Sequence, residues 1–78
     1  MSLNASGYDW TMMIQVNGKP ETIEADTLIA LLARKGIEAD ARGVAVALNG
    51  AVVPRAAWAA TALKADDAVE IVHAKQGG

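Results

Sequence analysis

The chain has 78 residues and a formal net charge of −2, with seven Lys and Arg against nine Asp and Glu. It has no cysteine and one histidine, so neither a disulfide framework nor a thiolate or histidine-built zinc site is available. The scattered cations give no electrostatic case for nucleic acid, and no apolar run approaches the ~20 residues of a membrane span. No charged-then-apolar signal opens the chain, so the expected setting is the cytoplasm. One domain of this size buries only about 60% of the surface its unfolded chain exposes.

Residues 1–12 read as an N-terminal extension or a remnant of expression. They lack periodicity up to Tyr8 and Trp10, two aromatics that could alternatively fold back on the domain. The domain proper is assigned to 13–73, starting near Met12 or Met13. Ile14 and Val16 alternate with Gln15 and Asn17, the period of a strand. Asn17-Gly18 is a strong hairpin signal, and Lys19-Pro20 continues the connection into Glu21-Thr22-Ile23-Glu24. Two antiparallel strands follow, roughly 12–17 and 20–25.

A helix comes next. Asp26 or Thr27 can cap it, and Leu28, Leu31 and Leu32 form one apolar stripe, which is read as plain core. Arg34 and Lys35 sit in the last turn, where positive charge meets the negative end of the dipole. Gly36 suits the left-handed closing position, with Ile37 folding back onto Leu32. Residues 43–48 form a third strand that ends at Asn49-Gly50. Val52-Val53 begins a short extended piece limited by Pro54, and Arg55 to Trp58 forms a turn or a single helical turn. Trp58 has the bulk to plug the end of a small core. Lys64 to Asp67 is a polar turn, and Ala68 to His73 is the last strand, with Val69 and Ile71 inward.

This order predicts an α+β domain in which a small mixed sheet of four to five strands packs on one main helix. That is the β-grasp arrangement. In it, the final strand lies centrally and pairs with the first in parallel, so residues 74–78 leave as a flexible tail from a rigid base. Ala74, Lys75, Gln76, Gly77 and Gly78 span at most ~17 Å when extended, enough to thread into a partner's active site. The diglycine carries no side chains, and its backbone can approach a pocket wall closely.

A terminal carboxylate is a poor electrophile and must be activated, most simply as an acyl-adenylate formed with ATP. Sulfide or a persulfide could then displace the adenylate and leave a thiocarboxylate on Gly78. An amine or thiol would instead give an amide or a thioester. The chain has no P-loop and no base beside a nucleophile, so no catalytic residue is assigned and no cofactor is expected on the domain itself. It reads as substrate and carrier. ATP is used by the activating partner.

From Met13 to Gly78 the chain resembles the ThiS family of thiamine-biosynthesis sulfur carriers. The matching pieces are Val16-Asn17-Gly18, Thr27 to Leu32, and Val46-Ala47-Leu48-Asn49-Gly50. Val53-Pro54-Arg55 with Trp58, then Asp67 to Val72, and finally Gln76-Gly77-Gly78 complete the set. The resemblance implies adenylation of Gly78 by a ThiF-type enzyme, sulfur from a donor such as a cysteine desulfurase, and delivery to thiazole synthase, ThiG. Asp66-Asp67 departs from the Gly-Asp commonly seen there, which puts the turn in question but not the tail.

On the sheet face opposite the helix, Ala45, Ala47 and Val72 form a shallow candidate docking surface beside the tail, or else an ordinary solvent face. Arg55 reads first as a solvated side chain and second as a partner to a carboxylate. His73 reads as a surface residue at a strand end, and Lys75 as steering the tail. The alternatives to a thiamine carrier are a carrier resembling the small subunit of molybdopterin synthase, a ubiquitin-like modifier, and a β-grasp binding module with an inert tail.

Overall fold

The computed structural model describes residues 11–74. β1 (Met12–Val16) and β2 (Lys19–Ile23) form a hairpin, followed by α1 (Leu28–Arg34). β3 (Val44–Leu48) and β4 (Ala51–Val52) form a second hairpin. A 3-10 helix, Arg55–Ala60, then leads to β5 (Ala68–His73). The five strands make one sheet in the order β2-β1-β5-β3-β4. β5 is parallel to β1 and antiparallel to β3, as the β-grasp reading requires.

The first hairpin is tighter than the sequence reading allowed. Asn17 and Gly18 both have positive φ, 53° and 82°, and form a two-residue turn by themselves. That geometry matches the twist of the flanking strands. Lys19 therefore already pairs with Val16, and β2 spans 19–23 rather than 20–25. At the other end Met12 pairs with Ile23 and packs, half-buried, against the core. Tyr8 and Trp10 lie outside the described residues.

A seven-residue helix is too short to persist on propensity alone, so packing must hold α1. Leu28, Leu31 and Leu32 are buried against Ile14, Val16, Val46, Val69 and Ile71 of the sheet. Thr27, not Asp26, is the N-cap, and its side-chain oxygen accepts the Ala30 N–H at 3.2 Å. At the far end the Ile37 N–H reaches Leu32 O (2.9 Å) and the Gly36 N–H reaches Ala33 O (3.0 Å). This is the double bond pattern of a Schellman closure, with Gly36 at φ 79°. Outside, Lys35 Nζ bonds both oxygens of Glu21 at 2.9 and 3.0 Å, tying α1 to β2.

Trp58 closes the core's other end. It is 1% exposed and its indole N–H donates to Val53 O at 3.0 Å, so bulk and polar atom are both accommodated. The segment carrying it is a six-residue 3-10 helix, longer than the single turn expected. Just beyond it, the Leu28 N–H bonds Thr61 O and the Leu63 N–H bonds Asp26 O. These stitches bury Leu63, a core residue that no periodicity in its neighbourhood announces.

Candidate functional site

The tail is the predicted working part, so the strand that bears it defines the site. β5 is inserted between β1 and β3, and asparagines from the two Asn-Gly turns hold its start and its middle. At the start, the buried Asp67 carboxylate accepts the Lys64 N–H (2.7 Å) on one oxygen and the Asn49 side-chain amide (3.0 Å) on the other. Asn49 in turn accepts the Ala68 N–H at 2.9 Å, and its own backbone N–H donates to Ala68 O at 2.7 Å. Farther along, Asn17 donates its backbone N–H to Val69 O and its side-chain oxygen accepts the Ile71 N–H, both at 2.8 Å.

The sequence reading treated these asparagines as turn formers only. Their second role depends on β5, which lies 18 to 54 residues away along the chain. Nothing local could reveal it. The Asn-Gly pairs were the available signal, since the positive φ that suits the turn also aims a short amide side chain across the sheet. Asp66 has φ 73°, so it holds the left-handed turn conformation despite standing where glycine was the expectation.

After His73, the Ala74 N–H still donates to Gly43 O at 2.6 Å. The sheet thus anchors the first residue of the segment assigned to the tail. Lys75, Gln76, Gly77 and Gly78 lie outside the described residues. His73 is exposed at the end of β5, opposite Val44.

The register places the three expected docking residues together. Ala45 stands opposite Val72, and Ala47 stands between Glu70 on β5 and Val52 on β4. Val72 is 58% exposed, Ala45 is exposed and Ala47 is half-buried. The same face carries Val52, 75% exposed, which the sequence reading did not include. A two-residue strand has no alternation to read, so only its pairing with Ala47 shows which way Val52 faces. Glu70 is the charged member of this patch.

Arg55 belongs elsewhere. Its guanidinium donates to Ala39 O at 2.7 Å and lies 4.9 Å above the Trp58 ring. Arg55 is exposed, as the favoured reading of a solvated side chain has it, and it also fastens the loop after α1 to the 3-10 helix. Among the described residues no group of three or more His, Cys, Asp or Glu side chains could hold a metal ion. No helix among them is long and apolar enough to cross a membrane.

The family model described as "ThiS family" matches residues 11–78. The chain belongs to the ThiS family. A crystal structure of the thiamine biosynthesis protein ThiS from Geobacter metallireducens is 41% identical and superposes with a TM-score of 0.71, covering 86% of this chain and 100% of that one. A solution structure of a thiamine biosynthesis protein from the same organism is 38% identical with a TM-score of 0.70, covering 86% and 88%. A protein named thiazole synthase from Magnetococcus marinus is 40% identical over 67 residues. This ThiS-family chain spans 86% of itself in that match but only 20% of the curated relative's length.

Proposed function

We propose that this ThiS-family protein is a sulfur carrier for the thiazole ring of thiamine, a substrate of other enzymes and not itself an enzyme. The Gly78 carboxylate attacks the α-phosphate of ATP on a ThiF-type enzyme, giving the acyl-adenylate and pyrophosphate. A sulfur nucleophile, supplied as sulfide or as a persulfide from a donor such as a cysteine desulfurase, adds to the acyl carbon. Loss of AMP leaves the thiocarboxylate. Where the donor is a persulfide, a second thiol must take up the remaining sulfur of the resulting acyl disulfide. Thiazole synthase, ThiG, then consumes the thiocarboxylate.

The observation that carries this reading is membership of the family, combined with a rigid central strand running directly into a diglycine segment. The name of the Magnetococcus relative favours the thiazole pathway over molybdopterin synthesis, since a ThiS-like segment there forms part of a thiazole synthase. Tail residues 74–78 carry the chemistry to the partner, while Ala45, Ala47 and Val72, with Val52, offer the sheet face for docking.

Intact mass spectrometry tests the proposal after incubation with ATP, a ThiF-type enzyme and a sulfur donor. The expected product has one oxygen replaced by sulfur at Gly78, and removal of Gly77 and Gly78 abolishes it without changing the unfolding midpoint. Conjugates to target lysines instead of a thiocarboxylate would make the protein a modifier. Unchanged function after removal of the diglycine would leave only a binding module.

A further inference from the structure

The bonds Asn49 N–H to Ala68 O and Ala74 N–H to Gly43 O fix which residues of β5 face β3. In the antiparallel register these are Ala68, Glu70, Val72 and Ala74. Val69, Ile71 and His73 therefore direct their N–H and C=O groups toward the β1 side. β1 does not extend far enough to use them all. Its pairing ends at Val16 with Val69, and the chain turns away through Asn17-Gly18. The Asn17 side chain supplies one more acceptor, for the Ile71 N–H. Beyond it, the Ile71 C=O and both backbone groups of His73 have no partner among the described residues.

Beside this open edge lies a groove of about 390 Å³, with Val16, Ile37 and Ile71 along it and Lys19 and His73 at its rim. Glu21 is engaged by Lys35, while Lys19 has no ion-pair partner among the described residues. We propose that this edge receives one extended main-chain segment of the enzyme that activates the tail. The segment adds beside β5 in the line that β1 vacates, with an acidic side chain opposite Lys19.

Three observations select that occupant. The vacant groups repeat at the two-residue spacing of a ladder, which an extended backbone matches and a helix does not. The edge ends where residues 74–78 begin, and these reach at most ~17 Å, so an enzyme gripping the Gly78 carboxylate lies within reach of this rim. The cation at the rim adds a charge preference that steers the encounter. The inference rests on the carrier reading and adds to it a contact in which backbone groups, not the tail, supply part of the affinity.

Amide hydrogen exchange by NMR, on the full chain alone and with a ThiF-type enzyme plus ATP, tests it. The His73 amide should exchange at least about tenfold more slowly in the complex. His73→Pro removes the N–H and should weaken binding about tenfold, whereas His73→Ala keeps it and should stay within about twofold. Lys19→Glu should weaken binding about threefold, less so in high salt. An adenylate that forms while the His73 amide stays unprotected overturns this inference and leaves the carrier reading standing. Absence of any adenylate overturns both. Protection in the free chain that grows with its concentration would assign the edge to a second copy and overturn it as well. Should His73→Pro fail to fold, the exchange measurement on the unaltered chain decides.

Discussion

The two Asn-Gly corners share a dipeptide and a backbone conformation, with Asn φ of 53° at Asn17 and 51° at Asn49, yet they hold β5 by different means. Asn49 is a two-sided clamp. It accepts from Ala68 with its oxygen and donates to a buried carboxylate with its nitrogen, so both amide atoms are committed. Asn17 is one-sided, using only its oxygen to lengthen a ladder that β1 has abandoned. The start of β5 is thus locked from both sides, while its end, beside the tail, is locked only toward β3. Side-chain hydrogen bonds are concentrated at the start of β5. Free hydrogen-bonding capacity is left at its end, among the described residues.

The largest effect expected at these corners comes from removing the carboxylate that Asn49 grips. Asp67→Ala leaves the Lys64 N–H and the Asn49 amide unsatisfied at a site 5% exposed, and should cost about 3 kcal/mol. In thermal unfolding that amounts to a fall of roughly 12–24 °C. A drop of only a degree or two would mean the clamp contributes little.

Deliberate Asn→Asp exchanges separate the corners more sharply. At position 17 the exchange preserves the acceptor for the Ile71 N–H, and urea denaturation should show a loss below about 0.5 kcal/mol. At position 49 it deletes the donor and sets a second carboxylate against Asp67, costing about 2 kcal/mol. Equal losses at the two positions would erase the distinction between one-sided and two-sided locks.

The one gain in stability, also small, is expected at the turn leading into the clamp. Asp66 holds φ 73°, which an L-residue adopts at a cost that glycine avoids. Asp66→Gly should therefore raise stability by about 0.5 kcal/mol in the same denaturation experiment, the larger freedom of glycine in the unfolded chain offsetting part of the gain. A clear loss would show that the Asp66 side chain does something in the turn beyond tolerating it.

What the sequence made legible was local. A cap at Asp26 or Thr27, the Leu28-Leu31-Leu32 stripe and the Gly36-Ile37 closure each follow from residues within one or two turns of one another, and the structure selects Thr27. The inward Val69 and Ile71 followed from alternation, and the central place of β5 from the order of elements. What was hidden depended on contacts made across the chain. The face shown by Val52 is set by its β3 partner, the work of Arg55 by a carbonyl 16 residues upstream, and the clamps by where β5 comes to lie. The candidate site divides in the same way. The expectation of chemistry at the diglycine rests on residue type and order alone, whereas the means of holding the strand before it emerged only when strands distant in sequence were set side by side.

Placing the last strand in the middle of the sheet has a consequence for how the protein is made. Until β5 has left the ribosome, the β1–β2 and β3–β4 hairpins have no strand to join them, and Val46, Ile14 and the helix leucines lack two of their core partners, Val69 and Ile71. Pairing β1 with β5 also closes a loop of more than fifty residues, the kind of distant contact that slows folding. The domain therefore cannot complete its fold before β5 has been synthesised. A truncated product lacking β5 cannot complete the core, so its exposed apolar residues would leave it open to proteolysis.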